Sequence, residues 1–278
     1  MKKSIRLALA AVATLSIAAP LSANHSWSGY HWARTGNPLK LSINTKITSQ
    51  WSASVSNAFY DWDNSGVLEL TAKTAPPGTD AKRCSPIAGQ ILVCNAAYGT
   101  RGWLGIASIW LTSGHISQAT TKLNDSYFNT AAYNTPAWRA LVACQEIGHD
   151  FGLGHQDEAF DNPNLGSCMD YTNDPSGSVK KQLSNEHPNG HDMDQLNTIY
   201  GSHTDSINTS SSQTASAGAN QSGRNVAVAE AAAGDSPSEW GRAIHTDGLG
   251  RPDTFQRVLG PGRIMITHVY WAMGEGPR

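Results

Sequence analysis

Cys144-Gln145-Glu146-Ile147-Gly148-His149-Asp150-Phe151-Gly152-Leu153-Gly154-His155 is the stretch on which the reading of this chain turns. Gln145 and His149 are four residues apart, so on a helix they stand one turn apart on the same face, the geometry in which two side chains grip one metal ion. Glu146 follows the first of them and is placed to act as a general base on a metal-activated water. Gly152 can leave the helix through a left-handed conformation, turning the chain back so that it delivers His155 as a further ligand.

Working outward, the helix carrying this face is predicted to begin at Thr135-Pro136. Threonine serves as N-cap, and proline fits the first helical position because its missing N–H would have no partner there. The helix runs to Asp150 or Phe151. Trp138, Leu141 and Val142 form an apolar stripe that continues through Gln145 and His149, so two polar side chains point inward.

Glu146-x-x-His149-x-x-Gly152-x-x-His155 resembles the zinc signature of the metzincin metalloendopeptidases, H-E-x-x-H-x-x-G-x-x-H, with Gln145 in place of the first histidine. Downstream, Ser167-Cys168-Met169-Asp170-Tyr171 resembles the metzincin Met-turn, in which a methionine packs beneath the metal site. Tyr171 matches a position where some subfamilies carry a tyrosine that binds the metal or steadies the oxyanion. Further similarity is to secreted bacterial matrixin-like proteins that share the glutamine variant. It runs through Cys94–Gly99, Lys122–Asp125, Tyr133–Arg139 and Asp192–Tyr200, and covers most of the span from His25 to Tyr200.

That resemblance implies a zinc site of Gln145, His149 and His155, with Glu146 and Tyr171 as catalytic residues and Met169 as a packing residue. It also implies a disulfide between Cys144 and Cys168 clamping the helix to the turn, which would stabilise the fold by roughly 3 kcal/mol in the chain-entropy model. Three readings of Gln145 stand side by side. Its amide oxygen is a weak zinc ligand, or His187 or His191 completes the site instead, or zinc has been lost and the protein is a non-catalytic relative. The remaining histidines, His25, His31, His115, His203, His245 and His268, read as surface or strand residues.

The flanking sequence supplies the rest of the fold. Leu39–Asn44 alternates as a strand; Trp51, Val55, Phe59 and Trp62 are spaced as an amphipathic helix; Val67–Leu70, Gln90–Cys94 and Leu104–Leu111 add strands, with a hairpin partner over His115–Leu123. Met193, Leu196 and Tyr200 mark a helix over His191–Tyr200 that stops at Gly201. The predicted class is α+β: a metzincin-like domain with a twisted mixed sheet, an active-site helix and a Met-turn, plus a small C-terminal β-meander. Expected boundaries are a signal peptide over 1–23, the protease domain over 24–201, a flexible Ser/Ala/Gly-rich linker over 202–238 and the β module over 239–278.

Composition narrows the partners. Met1-Lys2-Lys3-Ser4-Ile5-Arg6 followed by a short apolar run is the pattern of a secretory signal, with cleavage placed after Ala23, and no other stretch is predicted to span a membrane. The net charge of −2, on 20 basic and 22 acidic residues, lacks the clustered cations that nucleic acids require. Four cysteines in an exported chain imply two disulfides, and Cys84 with Cys94 closes a short loop. The acidic stretch Asp157–Asn164 offers oxygen donors for calcium, against the plainer reading of a solvated loop. No nucleophile elbow, P-loop or dinucleotide fingerprint is present. The function expected is a secreted, monomeric, zinc-dependent endopeptidase acting on extracellular proteins or peptides. The alternatives are a binding protein that has lost or weakened its zinc and an adhesion protein working through its tail.

Overall fold

The computed structural model describes residues 25–34, 36–205 and 231–277. The signal peptide expected over 1–23, its cleavage site, and residues 206–230 of the expected linker lie outside the described residues. In chain order the elements are β1 (His31–Trp32), β2 (Leu39–Lys46), α1 (Ser49–Asp63), β3 (Leu68–Thr74), β4 (Ile91–Ala96), β5 (Trp103–Thr112), β6 (His115–Asn124), a single turn α2 (Asp125–Phe128), α3 (Pro136–His149), α4 (Gly190–Tyr200), a second single turn α5 (Pro237–Trp240), β7 (Arg242–Thr246), β8 (Pro252–Gly260) and β9 (Arg263–Trp271).

The strands form one mixed sheet in the order β3-β2-β4-β6-β5-β9-β8-β7, with β1 added beside β6. Pairings among β1, β2, β3, β4 and β6 are parallel; those of β5 with β6 and of β7 through β9 are antiparallel. The fold is therefore α+β with a mixed sheet, and the predicted elements upstream of Tyr200 are found within a few residues of their expected ends. α1 and α3 pack over one face, where Trp51, Val55 and Trp62 meet Leu141, Val142 and Ile147 in the main core. Burying side chains of this size contributes about 1.5–3 kcal/mol each, which is why the 3.6-residue stripes predicted these helices.

The C-terminal strands do not stand apart as the separate module expected over 239–278. β9 pairs along nearly the whole of β5, from Trp103↔Trp271 to Thr112↔Arg263. Both ends of the expected linker are also fixed. Ala233 and Asp235 receive the Nζ of Lys122, a buried lysine of β6. At the other end, Asp205 is hydrogen-bonded to the backbone of Arg34. The reason is physical: the odd-numbered residues of β9 (Met265, Val269, Trp271) and the even-numbered ones (Ile266, Tyr270) are all buried. Such a strand needs cover on both faces and a partner at each edge.

Candidate metal centre

The site is built on α3. Thr135 caps it, its hydroxyl accepting from the Trp138 N–H at 3.2 Å, and Pro136 occupies the first turn. Every residue from Trp138 to His149 is buried, because the helix lies between the sheet, α1 and the loops that follow it. At Gly148 the absence of a side chain admits the sulfur of Met169: a Cβ there would stand 2.7 Å from it. The Cys144–Cys168 disulfide ties the same helix to the same turn, and Cys84–Cys94 forms the second bridge, both as expected.

After His149 the chain reverses at Gly152, which has φ +90° and no room for a side chain, since a Cβ would lie 2.1 Å from the carbonyl oxygen of Tyr30. This bend brings His155 back to His149 with their Nε2 atoms 3.1 Å apart. The tautomers follow from the other ring nitrogens. His149 Nδ1 faces the Leu153 carbonyl at 2.8 Å, an acceptor only, so the proton sits on Nδ1. His155 Nδ1 faces the Glu158 carboxylate at 3.0 Å and is protonated for the same reason.

Two Nε2 lone pairs then confront each other inside the protein. Burial, first among the causes, lowers the pKa of both rings, that of His149 well below the ordinary value, so neither readily takes a second proton. Two nitrogens bound to one tetrahedral ion at 2.0–2.1 Å stand about 3.3 Å apart, close to the separation found. The donor set therefore fits a divalent cation, and it has the outward hydrogen bonds that orient ligating imidazoles.

A third imidazole completes the group. His268, in the middle of β9, is fully buried, and one of its ring nitrogens lies with those of His149 and His155 inside 4.8 Å. Its ring centroid is 4.0 Å from that of His149 and 4.7 Å from that of His155. Nδ1 of His268 lies 3.2 Å from Glu146 Oε2, and Nε2 lies 2.9 Å from the Tyr171 hydroxyl. Burial pushes the ring down to about 4, so near neutrality it offers a lone pair. From sequence alone His268 is expected to be a surface or strand residue. The signal that would have found it is the alternation of β9, which puts His268 on the same face as the core residues Ile266 and Tyr270.

Gln145 is fully buried, and its Nε2 donates to the Cys168 carbonyl at 2.7 Å while Oε1 has no hydrogen-bond partner. The amide is thus held against the turn under the helix. Neither alternative histidine joins the cluster: His187 contacts Asp61 at the surface, and His191 stacks on His25. Glu146 is fully enclosed and, through burial first of all, its carboxyl is held well above the ordinary carboxylate range. Tyr171, stacked on Phe160 and tilted against His155, is kept protonated by burial. In the acidic loop, Asp157 turns to the Ala159 N–H and Glu158 to His155, so among the described residues these carboxylates do not gather as a calcium site would need.

A cleft of about 310 Å³ opens beside the cluster, lined by Trp27, His155, Glu158, His245 and Ile266 among others. Trp27 stacks flat on His149, at 4.7 Å and 7°. The segment bearing it is held by the Trp27 N–H donating to the Gly152 carbonyl and by the Gly154 N–H donating to the His25 carbonyl. On the opposite wall His245 contacts Asp253 at 2.8 Å; burial alone would raise that carboxyl, but this hydrogen bond and the nearby rings hold it below the ordinary range.

No protein-family model matches the chain, and no curated protein matches it. Among solved structures it is similar to one described as "Structure of myroilysin", with a TM-score of 0.36 and 13% identity over 65% of this chain and 100% of that one. No helix among the described residues is long and apolar enough to cross a membrane.

Proposed function

We propose that this chain is a secreted, zinc-dependent endopeptidase whose ion is held by His149, His155 and His268. The observation that carries the reading is the pair of Nε2 atoms 3.1 Å apart, each ring turning its Nδ1 to an acceptor, with a third buried imidazole against them. Zinc bound there supplies a Lewis acid that polarises a carbonyl oxygen and acidifies a water.

The chain's own groups do the remainder. Tyr171, neutral and buried, donates its hydroxyl proton in a hydrogen bond to the oxygen on which charge develops. Glu146 is the proton acceptor: a carboxylate whose pKa burial has raised is a stronger base than an exposed one. Its contact with His268 gives it a second task, fixing the ring that completes the site. An extended peptide is taken up in the cleft between the Trp27 segment and the β7–β8 side.

A second reading, a secreted binding protein whose ion serves structure alone, is favoured by one fact: Glu146 is enclosed against His268 and does not line the cleft. Casein digestion with and without chelator, alongside metal analysis, separates them. The peptidase reading expects cleavage that chelation abolishes, and a Glu146→Gln variant that keeps its zinc but loses about 10²–10⁴-fold in rate. Zinc-loaded protein that leaves casein intact supports the binding protein, and protein that takes up no zinc overturns both.

A further inference from the structure

Beyond α4 the chain returns to the edge where β1 lies beside β6. Tyr200, the last residue of α4, anchors the return: its hydroxyl donates to the Phe151 carbonyl at 2.9 Å and accepts from the Trp32 N–H at 3.2 Å. Arg34, its guanidinium over the Tyr200 ring, then pairs with the next segment. It donates from its side chain to the His203 carbonyl and from its backbone to Asp205 Oδ2 at 3.1 Å, while its carbonyl accepts from the Asp205 N–H at 2.5 Å.

These bonds use one carboxylate oxygen of Asp205 and leave Oδ1 facing three imidazoles. Oδ1 lies 3.3 Å from His115 Nε2, 3.6 Å from His31 Nε2 and 3.8 Å from His203 Nε2, and the two nitrogens of His31 and His203 are 3.2 Å apart. His31 and His115 are register partners in the β1–β6 pairing. The rings of His31 and His115 cross at 78°, and those of His31 and His203 at 90°.

The tautomer of His31 decides what such a cluster wants. Its Nδ1 lies 2.7 Å from the Gly29 carbonyl and so carries the proton of the neutral ring. Nε2 of His31 then presents a lone pair toward both a carboxylate oxygen and another imidazole. A cation among them would be held by this lone pair together with the carboxylate and the His203 ring nitrogen. Donors on a tetrahedral ion at 2.0–2.2 Å stand ~3.4 Å apart, and the three separations among His31, His203 and Asp205, 3.2, 3.6 and 3.8 Å, bracket that value. Two imidazoles and one carboxylate are a borderline-soft set suited to zinc and its neighbours and not to calcium or magnesium.

We propose that His31, His203 and Asp205 form a second divalent-metal site, distinct from the one on α3. It staples the end of the α4 segment to β1. From β1 the chain leads back to the turn that lays Trp27 on His149. None of these residues shares a contact with His149, His155 or His268 among the described residues, so the two sites load independently.

The test is zinc stoichiometry on the full chain, loaded with zinc and dialysed, for wild type and for Asp205→Asn, His203→Ala, His268→Ala and the His268→Ala/Asp205→Asn pair. Asp205→Asn keeps the acceptor for the Arg34 N–H, and the His203 side chain is 43% exposed, so neither threatens the core. Each is expected to bind one zinc fewer than wild type, and the pair two fewer. In the His268→Ala background, added zinc is expected to raise the melting temperature, and Asp205→Asn to remove that rise. Loss of one equivalent in Asp205→Asn but none in His268→Ala upholds this site while sinking the peptidase centre. Wild-type zinc content in both Asp205→Asn and His203→Ala overturns the proposal.

Discussion

Replacing His268 and Gln145 separately by alanine pits the observed third imidazole against the residue that sequence places first in the metal set. A four-donor zinc site is worth about 10–16 kcal/mol at neutral pH, so one imidazole of such a set carries roughly 3–4 kcal/mol, or about 10²–10³-fold in affinity. His268→Ala is expected to weaken zinc binding by that factor. Gln145→Ala instead removes the N–H donated to the Cys168 carbonyl at 2.7 Å and leaves that carbonyl buried without this donor. The cost is about 1–3 kcal/mol of folding stability, or about 1 M in urea midpoint at an m-value near 2 kcal/mol/M, with zinc affinity falling by less than tenfold. Competition against a chromophoric chelator reads the first quantity and urea unfolding of the chelated protein reads the second. The reasoning fails if Gln145→Ala loses as much zinc affinity as His268→Ala, because the free Oε1 of Gln145 would then be a ligand of equal rank.

Two further outcomes test the scaffold. Gly152→Ala puts a Cβ 2.1 Å from the Tyr30 carbonyl at φ +90°, so it should lower the melting temperature by several degrees and detach the segment bearing Trp27; a melting curve superimposable on wild type would show that the bend is not fixed there. Asp170 reports through pH: burial, outweighing its hydrogen bonds from Leu165 and Asn185, pushes its carboxyl up to about 6 from an ordinary 3.8. Between those values the folded state holds the proton and the unfolded state does not, so this group's contribution to stability is largest at low pH and is lost as pH rises from about 4 to about 6. Asp170→Asn should flatten that part of the urea-midpoint profile, and an unchanged slope would assign the dependence to other groups.

The strands and helices that were legible are those whose signal is local. Thr135-Pro136 announces the start of α3 by capping chemistry, and Trp51, Val55 and Trp62 announce α1 by spacing. His149 and His155 were legible for the same reason, since a helical turn and one glycine bend bring them together. The tail misled because its alternation showed strands without showing what they pair with. Whether Arg263–Trp271 closes a small sheet of its own or inserts against Trp103–Thr112 depends on hydrogen bonds between residues more than 100 positions apart, and no local pattern encodes them.

The amino-acid sequence alone determined the helix, its bend, the two histidines on it and the cysteines that clamp it, because each follows from contacts within a few turns of chain or from a short list of possible pairings. Tertiary structure decided which further imidazole stands beside those two histidines. Gln145 holds the place that helical periodicity assigns, with its amide N–H on the Cys168 carbonyl and its Oε1 unpaired. The third imidazole reaches His149 from β9, carried there by the register of a sheet whose edge only the folded chain defines.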